Sequence, residues 1–185
     1  MKTFTIIAGV NGVGKSSLSG VLSAEKSDIG VIIDTDRITS ECNGDLITGG
    51  KIAINRINDC LSKGVNFTQE TTLSGVRTLK TIKRARELDY LIRLYYIGIN
   101  SAEESVSRIA NRVRKGGHNI SSDDVERRFA KRFDDLLLVL PHCNEVRFFD
   151  NENGFVEVAD YRNGTLRITT DNTPDWLSAL SSMLR

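Results

Sequence analysis

The sequence predicts a single α/β domain built on a parallel sheet, and three observations carry that prediction. Short apolar runs rich in Val, Ile and Phe alternate with segments of helical period along the chain, the pattern of repeated strand–helix units. Five such runs interleave with helices, which implies a parallel sheet covered on both faces. The chain of 185 residues has the size of one domain and enough length to bury a core.

Taken in order, Thr3 to Ala8 reads as the first strand and Lys15 to about Ala24 as the helix after it. Ile29 to Asp34 is the second strand, followed by a polar connection through Gly44, Gly49 and Gly50. Ile52, Ile54, Ile57 and Leu61 then mark a helix ending before Gly64. Val65 to Glu70 is the third strand, Val76 to Glu87 a basic amphipathic helix, and Tyr90 to Ile99 the fourth strand. Ser101-Ala-Glu-Glu104 is a capping box before a helix carrying Val106, Ile109, Ala110 and Val113. Lys115 to Asn119 breaks that helix, and Ser121 opens another with a stripe of Val125, Phe129, Phe133, Leu136, Leu137 and Leu140 that Pro141 stops. Glu145 to Asn151 is the fifth strand. Gly154 and Asn163-Gly164 suggest a small terminal hairpin, and Pro174 to Leu184 a last helix. The expectation is a five-stranded parallel sheet with helices on both faces, in one domain over residues 1–185.

Composition excludes several classes. Lys and Arg total 25 against 24 Asp and Glu, so bulk charge gives no reason to expect nucleic acid or an anionic membrane as partner. Cys42, Cys60 and Cys143 form no CxxC or Cys/His ligand spacing, which points away from a disulfide framework or zinc site and toward a reducing compartment. No apolar run approaches the ~20 residues of a membrane span, and the expected location is the cytoplasm.

Between the first strand and its helix, Gly9, Val10, Asn11, Gly12, Val13, Gly14, Lys15 and Ser16 fit G-x-x-x-x-G-K-[ST]. Glycines there let backbone N–H groups close around a phosphate at a helix N-terminus, where the helix dipole favours negative charge. These eight residues, with Ser17, are the expected nucleotide site. Lys15 would reach the β and γ phosphates and Ser16 would ligate Mg²⁺. Ser17 stands where a dinucleotide fingerprint needs its third glycine, no N-K-x-D reads guanine, and Leu73-Ser-Gly-Val76 only begins like a transporter-ATPase signature. A small kinase remains.

Asp34-Thr-Asp36-Arg37 follows the second strand, at the sheet edge that carries the phosphate loop. Asp34 is expected to assist Mg²⁺ and Asp36 to accept the proton of an attacking hydroxyl, although Asp also commonly caps a helix. Glu70, Thr72 and Ser74 end the third strand at the same edge, where Glu70 suits either the magnesium surroundings or a substrate hydroxyl. Six of the sixteen arginines lie between Arg108 and Arg132, around Gly116-Gly117. This segment, about residues 102–132, reads as a helical lid in which Arg112 and Arg128 meet the transferring phosphate. Arg127 points away from the apolar stripe, and His118 reads as a hinge contact.

In order, GVNGVGKS, IIDTDRI, QETTLSG, RVRKGGHNI with ERRF, and FFDN resemble the zeta-toxin family of P-loop kinases, over about residues 4 to 151. The likeness is greatest to a small stand-alone bacterial branch often labelled predicted ABC-type ATPase. The resemblance implies a P-loop kinase fold with a lid, ATP or GTP with Mg²⁺, and a hydroxyl-bearing acceptor, which in characterised toxins is UDP-N-acetylglucosamine. It implies Asp36 as the base, Glu70 and Thr72 as substrate-binding residues, lid arginines as a phosphate clamp, and an antitoxin protein as partner. Phe149-Asp150-Asn151 stands where such kinases place base-contacting residues. Asp-Thr-Asp also resembles the acceptor motif of shikimate-type kinases, which leaves a small-metabolite kinase of shikimate or gluconate type as the alternative. A nucleotide-dependent switch without acceptor is the reading from another class.

Overall fold

Seven strands join one sheet in the computed structural model, which describes residues 1–25, 28–117 and 119–184. The chain runs β1 (Lys2–Ala8), α1 (Lys15–Ala24), β2 (Val31–Asp34), α2 (Thr35–Glu41), α3 (Leu46–Lys63), β3 (Phe67–Thr71), α4 (Arg77–Glu87) and β4 (Tyr90–Gly98). It continues through α5 (Ala102–Arg114), α6 (Ser122–Val139), a 3₁₀ turn (Leu140–His142), β5 (Glu145–Asp150), β6 (Val156–Arg162), β7 (Thr165–Ile168) and α7 (Asp175–Met183). The order across the sheet is β2-β3-β1-β4-β5-β6-β7. The first five strands are parallel, and β6 and β7 add antiparallel to the β5 edge.

The expected five-stranded parallel sheet is therefore corrected to a mixed sheet of seven strands. The terminal hairpin exists, but it extends the sheet instead of standing apart from it. Only five residues separate β5 from β6, too few for the crossover a parallel strand requires, so the chain returns antiparallel. A register shift at Phe148/Phe149 accommodates the return, and Val158 and Ala159 bury themselves in the core.

Alternation along the strands sends residues to the two faces. Phe4, Ile6 and Ala8 of β1 and Ile92, Leu94 and Tyr96 of β4 join a large core with α3, α4, α6 and α7. Ile7 of β1 and Tyr95 and Ile97 of β4 pack on the other face with Val10, Val13 and Leu18. This second core lies under the loop between β1 and α1, so that loop rests on packed side chains.

The polar connection expected after β2 is instead α2 and the first turns of α3, whose later part is the helix expected through Ile52 to Leu61. Asp34 caps α2 by accepting from the backbone N–H groups of Asp36 and Arg37 at 3.0 and 3.1 Å, and Asp45 caps α3 through those of Ile47 and Thr48. Asn43 and Gly44 take positive φ between them. Gly49 and Gly50 are buried inside α3 because α2 crosses there: a Cβ on Gly49 would stand 2.3 Å from Thr39 Oγ1 and 2.7 Å from its Cα. Glycine read as a loop signal is here a packing requirement. The third strand also starts later than expected, since Gly64 turns left-handed and the Val65 N–H closes on the Cys60 carbonyl.

Gly49→Ala should lower stability by about 1–3 kcal/mol through overpacking against backbone. Gly20→Ala, in α1 with open space around it, should raise stability by about 0.5–1 kcal/mol. Urea denaturation of the two variants checks the pair.

Candidate active site

The carboxyl ends of β1, β2 and β3 open into a cleft of about 1250 Å³. Gly9, Gly12 and Gly14 hold φ of 145°, 81° and 99°, values that side-chain-bearing residues rarely adopt. A Cβ would stand 2.4 Å from the Ile97 carbonyl at Gly9 and 2.8 Å from the Ser105 carbonyl at Gly12. The side chains of Val10 and Val13 turn down into the second core. What the loop leaves exposed to the cleft is Asn11, Gly12, Gly14, Lys15, Ser16 and Ser17, ahead of the first turn of α1.

Lys15 is folded back on its own loop, where Nζ donates to the carbonyls of Gly9 and Val10 at 3.0 and 3.1 Å. Burial lowers its pKa, while the carboxylates of Asp36, Glu70 and Asp34 oppose that effect and Arg128 adds to it. The side chain is half-buried at the edge of the cleft, its ammonium held by carbonyl oxygens with three acids nearby.

Glu70 faces α1. Its two oxygens accept from Ser16 Oγ at 2.7 Å and Ser19 Oγ at 2.6 Å, and Ser16 also approaches Asp34 Oδ2 at 3.4 Å. Burial raises the Glu70 pKa, the two serine hydrogen bonds lower it, and Asp34 raises it further. Among the described residues no group of three or more His, Cys, Asp or Glu gathers around a metal position. The set present is one hydroxyl and two carboxylates, hard oxygen donors that fit Mg²⁺ when phosphate and water supply the other ligands. Ser16, Asp34 and Glu70 would hold it.

Asp36 sits in the first turn of α2 and lines the cleft with Thr72, Ser74, Arg112 and Arg128. Thr72 Oγ1 donates to Ser74 Oγ at 3.1 Å. Arg128 donates from Nη1 to Asn11 Oδ1 at 2.7 Å, and its Nε is buried without a partner among the described residues. Arg127, by contrast, lies outside, paired with Asp124. Arg132 turns into the fold and stacks over the rings of Phe129 and Phe133 at 3.6 and 4.1 Å. His118 lies outside the described residues.

Several contacts at the loop were not read from the sequence. Ser19 completes the hold on Glu70, and its i, i+4 spacing from Lys15 was the available signal. Ser105 Oγ donates to the Asn11 carbonyl. Asn151 Nδ2 donates to the Val13 carbonyl at 2.9 Å, and Arg108 donates to the Asn151 carbonyl at 2.7 Å. The Phe149-Asp150-Asn151 segment therefore braces the loop: Asp150 accepts from Trp176 Nε1 at 2.9 Å and Phe149 meets Tyr95 edge-on. None of the three lines the cleft.

No protein-family model matches the chain. An uncharacterized protein of Haemophilus influenzae is 35% identical over 126 residues, covering 65% of this chain and 88% of that protein. The chain belongs to the same family as that Haemophilus protein. Among solved structures, a chain from the PezAT chromosomal toxin-antitoxin system of Streptococcus pneumoniae matches with a TM-score of 0.67 at 17% identity, over 99% of this chain and 84% of that one. A chain of the AvrRxo1-ORF1:-ORF2 complex with ATP matches with a TM-score of 0.70 at 14% identity, over 100% of this chain and 63% of that one. This chain thus spans less than two thirds of the latter. A chain of the Pnkp1/Rnl/Hen1 RNA repair complex gives 0.59 at 19% identity, over 74% and 45%. These likenesses show that the chain shares its α/β fold with those proteins. No helix among the described residues is long and apolar enough to cross a membrane.

Glu70 supplies a test of the site's electrostatics. A carboxyl whose pKa is raised by folding favours the folded state while protonated, and that contribution is lost as pH rises through the raised pKa. Glu70→Gln should therefore raise the melting temperature of the nucleotide-free protein at neutral pH by a few degrees. The gain should shrink as the pH falls below the ordinary carboxylate range, where wild-type Glu70 is protonated in both states. Thermal melts of both proteins across pH check this.

Proposed function

We propose that the chain is a nucleotide-dependent kinase that transfers the γ-phosphate of ATP or GTP to a hydroxyl of a small acceptor. The observation that carries this reading is convergence: the phosphate loop with Lys15 and Ser16, the carboxylate of Asp36, and the guanidinium of Arg128 line one cleft. At about 1250 Å³ the cleft exceeds the ~300–1,000 Å³ usual for one small ligand, which favours two substrates over a switch that holds a nucleotide alone. ATP bound in the AvrRxo1 complex supports the nucleotide.

In this reading the backbone N–H groups of the loop and Lys15 bind the β and γ phosphates. Bound Mg²⁺ would neutralise charge on the phosphates, held by Ser16 and Asp34 with Glu70 behind them. Asp36 takes the proton of the acceptor hydroxyl as its oxygen bonds to the γ-phosphorus. The bond from that phosphorus to the β,γ-bridging oxygen breaks, and the nucleoside diphosphate leaves. Arg128, and Arg112 across the cleft, stabilise charge spreading over the equatorial oxygens, while α5 and α6 act as the lid that excludes water.

The resemblance to zeta toxins makes UDP-N-acetylglucosamine the first acceptor to test and an antitoxin the first partner. The PezAT structure, from a toxin-antitoxin system, and the AvrRxo1 structure, of ORF1 with ORF2, support a partner protein.

Asp36→Asn should keep nucleotide affinity by calorimetry and lose acceptor phosphorylation by roughly 10²–10⁴-fold, the size of a general-base contribution. Equal loss of both would make Asp36 a structural or metal-holding residue. Arg128→Ala should lower kcat by on the order of 10²-fold, and Arg127→Ala should be nearly silent. Parallel steady-state kinetics decide between them, and an essential Arg127 with a dispensable Arg128 would overturn the assignment.

A further inference from the structure

Two arginines of α5 and α6 pair with acids, Arg108 with Glu104 and Arg127 with Asp124. Arg128 lines the cleft and forms no ion pair among the described residues. Its partner is an amide: Nη1 donates to Asn11 Oδ1 at 2.7 Å, and Nε is buried with no partner among the described residues. Arginine carries five N–H donors, so most of this guanidinium is left for something else. It also lies close enough to Lys15 to help lower the lysine pKa. Two cations so placed repel, and an anion beside them relieves the repulsion.

Asn11 is fixed where it holds the guanidinium. The residue is 2% exposed, although it stands third in the phosphate loop. Its carbonyl accepts from Ser105 Oγ of α5, and a Cβ on the next residue, Gly12, would stand 2.8 Å from the Ser105 carbonyl. Val10 and Val13, on either side, are sunk in the second core. The backbone that carries the amide is therefore clamped. On the other side of the contact, Phe129 follows Arg128 in α6 and packs against the second core, while Phe133 and Leu136 enter the large one. Both ends of the hydrogen bond rest on packed elements.

The chemistry of the partner matters. A carboxylate at position 11 would hold Arg128 more firmly, because bonds between ionised groups are the stronger ones, but it would cancel the arginine's charge and repel phosphate. An apolar side chain would leave the charge and free a long side chain to sample many rotamers. A neutral amide carbonyl orders the guanidinium without neutralising it. Resting on the kinase reading, we infer that Asn11 is a positioning residue for Arg128, holding its guanidinium over the phosphate loop so that its remaining donors meet the transferring phosphate. The arginine is then ordered when the chain folds and not during transfer, so its charge is in place when negative charge spreads over the phosphate oxygens.

The test joins kinetics to a spectrum. The full chain is given saturating γ-³²P-ATP, Mg²⁺ and a deproteinised bacterial small-molecule extract, and labelling rates are compared for the wild type, Asn11→Ala, Arg128→Ala and the double variant. Asn11→Ala should slow turnover roughly ten- to hundredfold, with ATP affinity by calorimetry within about threefold of the wild type. The double variant should match Arg128→Ala within about twofold, because the amide acts through the arginine. Asn11→Asp, nearly isosteric, should also slow turnover roughly tenfold or more, because it cancels the charge. In ¹H–¹⁵N spectra of the nucleotide-free protein, the Arg128 Nε–H signal is identified by its loss in Arg128→Ala. It should stand apart from the exposed arginines in the wild type and Asn11→Asp, and merge with them in Asn11→Ala. A side chain that serves only the shape of the loop would leave Asn11→Asp near the wild-type rate and give losses that multiply in the double variant. Multiplying losses, or an Arg128 signal unmoved by Asn11→Ala, overturns the inference and leaves the kinase reading standing. No labelling by the wild type with ATP bound overturns the kinase reading, and the inference with it.

Discussion

The loop between β1 and α1 is a backbone cradle that no side chain can fill, and the rest of the molecule is arranged to hold it open. Its glycines have no room for a Cβ beside Ile97 and Ser105, and its two valines are anchored in the second core. Four further elements grip it from outside: β3 through Glu70 on Ser16, α5 and α6 through Ser105 and Arg128 on Asn11, and the end of β5 through Asn151 on Val13. Displacing any of these moves the amides that the proposed reading assigns to phosphate.

The same contacts explain why electrostatic cost gathers at this edge of the sheet. Burial disfavours the charge on both Lys15 and Glu70; Lys15 keeps its charge by donating to two loop carbonyls and Glu70 by accepting from two serine hydroxyls of α1. A site of this kind gives up stability in the free protein for interactions that a phosphate completes. Arg128 and Arg132 both keep a buried Nε without a partner among the described residues; Arg128 belongs to the cleft, whereas Arg132 stacks on the rings of Phe129 and Phe133.

Much of this was legible in the sequence because it rests on local rules. Local periods placed Gly9 to Ser16 between a strand and a helix, and helical spacing separated Arg128, which lines the cleft, from Arg127, which pairs with Asp124 outside it. The alternation that separates Glu70 from Gln69 is equally local, but a single strand gives no sign of which face meets α1. The sheet's two extra strands depend on where a hairpin docks, and α2 and the first turns of α3 went unread because Gly49 and Gly50 serve close packing instead of turning the chain. Asn151 acts across 138 residues of separation, and no sequence period marks such a contact. The braces of the loop are long-range, and they are what the fold adds.

The central claim is that the ammonium of Lys15 leaves the carbonyls of Gly9 and Val10 to meet the phosphates of a nucleotide whose γ-phosphate is transferred. The direct measurement is ³¹P-detected consumption of ATP in the presence of Mg²⁺ and a small-molecule extract, for the wild type and Lys15→Ala. The account predicts that the wild type forms a new phosphate ester and that Lys15→Ala, folded by circular dichroism, forms none above background. Transfer by Lys15→Ala within about tenfold of the wild type would contradict it, because the catalytic charge on the phosphates would then come from elsewhere.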